Sequence, residues 1–232
     1  MPHEVVFISP FDLPELQTTS EVKHIKSYSS VPVCLQIGTL AAKYPVICHA
    51  VDDSVFHKET LSHSYDYFIM SNYDVVGLTY QENTNLMSAE KWKIKNISEF
   101  NNIPLDGEWI TFVQPMMDKS RFINMGGFDC SFEYSNHCHH DLAFRMWMMG
   151  FNIDVVPFTV SYASHMPERT GDHAAIHDAQ TGPDEKRFRD KWKEPNTVDL
   201  VIDYNNYRQY DVPWIRRFKK EYSSYEEMVK DQ

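Results

Sequence analysis

Short apolar, β-branched runs alternate along this chain with longer segments of helix formers. Val5-Val-Phe-Ile8 is a compact apolar run closed by Ser9-Pro10, the signature of a buried strand. Good helix formers fill Val33 to Lys43, between Pro32 and Pro45, and Val46 to Val51 predicts the next strand, which stops at Asp52-Asp53-Ser54. A helix is expected from Val55 to about Asn72, followed by a strand from Asp74 to Tyr80. Gln81 to Gly107 is polar and irregular and is expected to cross the surface. The sheet resumes at Trp109 to Gln114, and its last strands are expected at Phe151 to Pro157 and Thr159 to Tyr162, just short of His165. Met166 to Pro183 is a Gly-, His- and Asp-rich stretch without a period. Asp184 to Trp192 reads as a charged amphipathic helix, and a further helix is expected beyond Trp214, with Phe218, Tyr222 and Tyr225 as its contacts. Such alternation predicts an α/β fold, a mixed and mainly parallel sheet flanked by helices, with ligands at the carboxyl ends of the strands.

The stretch from Asn124 to Asp141 interrupts this regularity. It runs a double glycine into Phe128-Asp129, crosses a polar segment and delivers Asp141 to what the pattern predicts as the first turn of a helix over Leu142 to Met149. That helix is almost wholly apolar and is expected to be core. An aspartate at its start is favoured by the free amides and the helix dipole. The same placement would hold a carboxylate at the rim of a cleft, where a general base has to stand.

Composition narrows the alternatives. A chain of 232 residues with 42% hydrophobic positions can bury a substantial core. Its net charge of −11 argues against a broad grip on nucleic acid or an anionic membrane, while leaving room for a local basic groove. No apolar run reaches membrane-spanning length, and the N-terminus shows no signal-like segment. The four cysteines have no paired short spacing, so a reduced, cytoplasmic protein is expected. Lys191-Trp192 and the Arg216-Arg217 and Lys219-Lys220 pairs read as solvated helix faces.

Three groups then stand at strand ends or helix starts: Asp52-Asp53, Asp141 and His165. Paired aspartates after a buried strand suit Mg²⁺ or Mn²⁺, although Asp53 or Ser54 would equally serve as a helix cap. The ordered set is Asp52-Asp53, Met125-Gly-Gly-Phe-Asp129, Asp141-Leu-Ala-Phe-Arg145, Gly150-Phe-Asn-Ile153, Val156-Pro157 and His165. It resembles a GT-A glycosyltransferase of the family 2 type, over roughly Val5 to Trp192. The resemblance implies a GT-A-like domain over residues 1–195 and a helical extension over 196–232. It implies a nucleotide-diphosphate sugar as donor and a hydroxyl acceptor (a glycan or a small molecule); a nucleic acid acceptor is the less favoured reading, carried by the C-terminal basic pairs Arg216-Arg217 and Lys219-Lys220. Asp53 and His165 would hold Mn²⁺ or Mg²⁺, and Asp52 would belong to the same diphosphate site. Ser9 and Pro10 would lie near the base, and Arg169 and His173 in a segment closing over the diphosphate. Asp141 would be the general base of an inverting transfer.

The chain departs from the family pattern in places. His140 stands where an acidic residue is usual, and Gln36-Ile-Gly38 where Arg-Asn-x-Gly is common. There is room for little more than one strand–helix unit before the metal strand, where two are usual. His137, Cys138, His139 and His140 lie together, but no second Cys/His pair at zinc spacing accompanies them. A non-catalytic GT-A-like domain that binds a sugar nucleotide or a partner is the competing reading. A nucleotidyltransferase would need a glycine-rich phosphate loop near the first strand, and none is present.

Overall fold

The computed structural model describes residues 2–10, 12–13, 20–51, 54–82, 85–87, 93–94, 103, 108–163, 178 and 180–205. Strands β1 (Glu4–Ser9) and β2 (Glu21–Lys26) form a parallel pair. Helix α1 (Val31–Ala41) follows, with Pro32 in its first turn, where the missing N–H costs nothing. The main sheet runs β3 (Val46–Cys48), β9 (Pro115–Asp118), β5 (Val75–Glu82), β10 (Ile153–Ala163) and β4 (Ser54–Phe56), with β6 (Asn85–Met87) also on β5. Only β5 and β10 pair in parallel within it; β9 is antiparallel to both its neighbours, and β4 to β10. A separate short ribbon joins β7 (Lys93–Ile94) to β8 (Trp109–Ile110).

Both faces of the sheet are covered, so the first half of β5, Val75 to Leu78, is an apolar run. Val75 packs with Met117, Phe122, Phe144, Phe188 and Trp192 on one side. Val76 and Leu78 pack with Met116, Val156, Val160 and Phe68 of helix α2 (Thr60–Met70) on the other. Burying each such side chain is worth about 1.5–3 kcal/mol, which makes this sandwich the main source of stability.

Several elements differ from the sequence pattern. The predicted helix from Val55 begins only at Thr60, because Ser54–Phe56 is recruited as an edge strand on β10. β2 lies in what reads as a polar loop. The two expected last strands are one, bent where register shifts between Val155 and Thr159; Pro157, lacking an N–H, falls at that irregularity. Trp109–Ile110 is only the start of the expected strand over Trp109 to Gln114, and Pro115–Asp118 is the part that enters the sheet. The expected tail helix beyond Trp214 lies outside the described residues.

Helix α3 (Lys119–Asn124) begins on Asp118, whose carboxylate accepts the Ser120 and Arg121 amides, and ends in the double glycine. Gly126 and Gly127 both have positive φ, 88° and 66°. A side chain on Gly126 would run into the Ile202 carbonyl, and one on Gly127 into the Gln36 amide. Only glycine meets both demands.

The correction that matters most concerns helix α4, which spans Ser135–Met148 and so starts seven residues before the predicted Leu142. Asp141 lies in its interior. The cause is tertiary: Asp184 reaches back to accept the Glu133 and Tyr134 amides at 3.0 and 2.8 Å, fixing the chain just ahead of the helix. Burial of His137, Cys138, His139 and His140 then stabilises a polar-looking first half as helix. A π-helical turn (Gln180–Asp184) leads into α5 (Glu185–Trp192), close to the predicted span.

Gly126→Ala is expected to lower stability by at least about 2–3 kcal/mol, from its left-handed backbone and the collision with Ile202. Urea unfolding of the variant checks this, and a change within experimental error would mean that the Ile202 segment moves aside at no cost.

Candidate functional site

The carboxyl ends of β3, β5 and β10 meet the amino end of β9 along one edge of the main sheet. Cys48 pairs with Met116, the His49 amide donates to the Pro115 carbonyl at 3.0 Å, and Leu78 N donates to Gln114 O at 2.9 Å. Ser54 pairs with Ala163 at the end of β10. Gln114 donates through Nε2 to Ser54 Oγ at 2.9 Å, tying this edge to the residue that follows the acidic pair.

Helix α4 closes the edge with its first half. The His139 ring lies 4.8 Å from Phe128 and 6.4 Å from His49, and His140 lies 5.7 Å from Trp109. All four histidines are kept neutral. Burial pushes the pKa of His49 and His140 down to about 3, and that of His137 and His139 down to about 4. Several polar atoms here are buried and have no hydrogen-bond partner among the described residues: His49 Nδ1, Thr111 Oγ1, Gln114 Oε1, His139 Nε2 and Ser161 Oγ. Buried polar groups are usually satisfied, so this edge carries hydrogen-bonding capacity that the fold itself does not use.

Asp141 is placed differently. It is wholly buried, and both its oxygens are engaged: Oδ2 accepts from Arg145 Nε at 2.9 Å, and Oδ1 meets Lys191 Nζ at 2.7 Å and Trp192 Nε1 at 3.1 Å. Arg145 spends three of its four remaining donors on the carbonyls of Met125, Gly127 and Leu200. Lys191 also binds Asp129 Oδ2 at 2.8 Å. Burial pushes Asp129 upward, but Lys191 and Ser131 outweigh it and hold the carboxyl below its ordinary range. Two cations and two carboxylates therefore balance here, Arg145 and Asp141 in the core and the half-buried Lys191 and Asp129 at its margin. Lys191 and Trp192, read from the sequence as a solvated face, are the partners that seal Asp141. The i, i+4 spacing of Phe188 and Trp192 in an otherwise charged helix was the available signal.

Of the other residues singled out, Ser9 and Pro10 stand at the carboxyl end of β1, with Ser9 buried and its carbonyl accepting from Ser27 N. Asp52, Asp53, His165, Arg169 and His173 lie outside the described residues. No group of three or more His, Cys, Asp or Glu side chains arranged for a metal occurs among the described residues, so the histidine run around Cys138 does not form one. Gln36, in the segment where the family resemblance would put a contact to the diphosphate or the nucleotide base, is a buried structural latch. Its side chain accepts from Phe128 N at 2.9 Å and donates to the carbonyls of Gly126 and Tyr204. No described helix is long and apolar enough to cross a membrane.

No protein-family model matches the chain, and no curated protein matches it. Solved structures do. The chain is similar to S. aureus TarS 1-349 in complex with UDP, at a TM-score of 0.51 and 11% identity, covering 84% of this chain and 61% of that one. For S. aureus TarS 1-349 in complex with UDP-GlcNAc the TM-score is 0.52 at 11% identity, covering 74% and 51%. The chain thus spans between half and about three-fifths of the length of these structures. At this identity the likeness establishes the fold, which is that of the GT-A-like nucleotide-sugar transferases.

Removing one member of the buried ion pair leaves the other charge unpaired, so Asp141→Ala is expected to cost about 3–5 kcal/mol. Urea unfolding should show it; a loss under 1 kcal/mol would mean that water reaches Arg145. The four neutral imidazoles also set the acid response. Their folded pKa values lie below the ordinary 6.5, so the unfolded chain binds more protons between about pH 6.5 and 4. Stability should therefore fall as the pH drops through that window. Asp184, raised by burial to about 6, opposes this between about pH 6 and 4. Thermal melts from pH 7 to 4 should therefore show a steep net loss, and His49→Phe should flatten it.

Proposed function

We propose that the chain is a glycosyltransferase that moves a sugar from a nucleotide-diphosphate donor to an acceptor hydroxyl. The observation that carries this is the GT-A-like fold, shared with structures solved with UDP and UDP-GlcNAc bound. The unsatisfied polar atoms at the carboxyl edge of the sheet support it, because open α/β sheets bind ligands there.

On this reading Ser9 and Pro10 border the nucleotide base, and Asp52 faces the diphosphate. Asp53 and His165 would hold Mn²⁺ or Mg²⁺, which neutralises the charge on the leaving diphosphate. Arg169 and His173 add positive and polar groups to the same diphosphate. Inversion at the anomeric carbon requires a base beside the acceptor oxygen. For Asp141 to be that base, it has to exchange Lys191 or Trp192 for the acceptor. That sealed position favours a second reading, in which the domain binds a sugar nucleotide without turning it over.

The deciding experiment is calorimetric titration of UDP and GDP, with and without Mn²⁺, into the wild-type chain and Asp53→Ala. Binding that needs both Mn²⁺ and Asp53 is expected. Unchanged affinity in Asp53→Ala would remove that residue from the cation site. No binding of either nucleotide would overturn the donor assignment.

A further inference from the structure

Glycosyl transfer leaves one proton in need of a destination. The acceptor oxygen bonds to the anomeric carbon, the bond from that carbon to the diphosphate oxygen breaks, and its electron pair leaves on the diphosphate. The acceptor's hydroxyl proton has to pass to a base with a free lone pair. Asp141 has none to spare, since both its oxygens accept from Arg145, Lys191 and Trp192.

Two residues away on the same helix, and so on nearly its opposite face, His139 has such a lone pair. Its Nδ1 lies in hydrogen-bond contact with the Ser135 carbonyl. A carbonyl only accepts, so the proton of the neutral ring sits on Nδ1 and Nε2 is bare. Nε2 is buried and has no hydrogen-bond partner. An acceptor left in this state costs about 1–3 kcal/mol, which a ligand hydroxyl donating to it would recover. The ring is held from its sides by Phe128 and His49, so the direction of the lone pair is fixed. His49 in turn is anchored through Nε2 to Thr39 Oγ1 at 2.9 Å, and it closes β3 three residues before the acidic pair in sequence.

We propose that His139 Nε2, rather than Asp141, takes the proton from the acceptor hydroxyl; the assignment rests on the glycosyltransferase reading. Asp141 is then a positioning residue that fixes α4 and so aims His139. Burial pushes the imidazole pKa down to about 4 and so keeps the ring unprotonated at neutral pH.

The test uses the full chain and UDP-GlcNAc, with water standing in for the acceptor and UDP release as the readout. Wild type, His139→Gln and His139→Ala are compared for UDP affinity by calorimetry and for UDP release across pH. The expected result is UDP affinity within about threefold of wild type in both variants. UDP release should fall at least about 100-fold, with partial recovery of His139→Ala by added imidazole that grows with the unprotonated imidazole fraction. His139→Gln releasing UDP at the wild-type rate would overturn the base assignment and leave the donor reading standing. Loss of release without imidazole rescue would do the same, marking a structural role. A wild-type chain that binds neither UDP nor GDP would overturn both, and one that binds GDP alone is tested in the same way with a GDP-sugar. Where UDP-GlcNAc binds without turnover, ¹⁵N spectra of the His139 ring decide. A bare Nε2 whose resonance shifts on adding UDP-GlcNAc supports the assignment, and a protonated or unmoved Nε2 overturns it.

Discussion

The ion pair between Asp141 and Arg145, both without solvent exposure, is the constraint on which the rest of the site region depends. Two charges taken out of water are costly, and the cost is offset only if every remaining donor and acceptor finds a partner. Meeting that demand draws in Lys191 and Trp192 from α5, Asp129, the carbonyls of the glycine turn, and Leu200 from the segment after α5. Four parts of the chain are thereby fixed to the middle of one helix. The rotation of α4 follows from this, and with it the direction in which its histidines point.

That helix joins two different kinds of interior. Its second half faces the packed aromatic layer of Phe144, Phe188, Trp109 and Trp192. Its first half faces the ends of the strands, where polar atoms are buried without partners. A fold that satisfies four charges in one place and leaves neutral acceptors bare on nearly the opposite face of the same helix has separated stability from chemistry. Neutral imidazoles suit the second role, because they tolerate a dry environment that would raise the cost of a free carboxylate.

How much of this was legible in the sequence depended on where the decisive interaction came from. β5 was readable because Val75 to Leu78 is an apolar run covered on both faces; β1 was readable as a strand but not as a buried one, since Val5 is exposed; and α5 was readable as an amphipathic helix, though not for which residues it turns inward. The start of α4 was not, because Ser-Asn-His-Cys-His-His reads as loop until Asp184, fifty residues on, ties down the amides ahead of it. β2 was missed for a similar reason: Glu21–Lys26 is too polar to announce itself and is a strand through its pairing with β1. The glycine turn was recognised as a unit and Asp141 as important. Its importance as an anchor needed Lys191, whose charge in an otherwise solvated helix gave no hint of an inward turn. Gln36 could not have been found as a latch, since its partners lie 92 and 168 residues away.

Those separations bear on how the protein is made. Gln36 is synthesised early, and it receives its Phe128 partner only after more than half of the described fold has emerged. Its last partner, Tyr204, whose hydroxyl also donates to the Gln36 carbonyl at 2.7 Å, arrives at the far end of the described chain. Ile202 completes the same turn by donating from its amide to Met125 O. During translation α1 therefore carries a buried-type amide with nothing to bind, and the glycine turn stays open on one side. These native contacts can form only once residues beyond α5 have left the ribosome, so the turn and α1 depend on a segment made more than a hundred residues after α1.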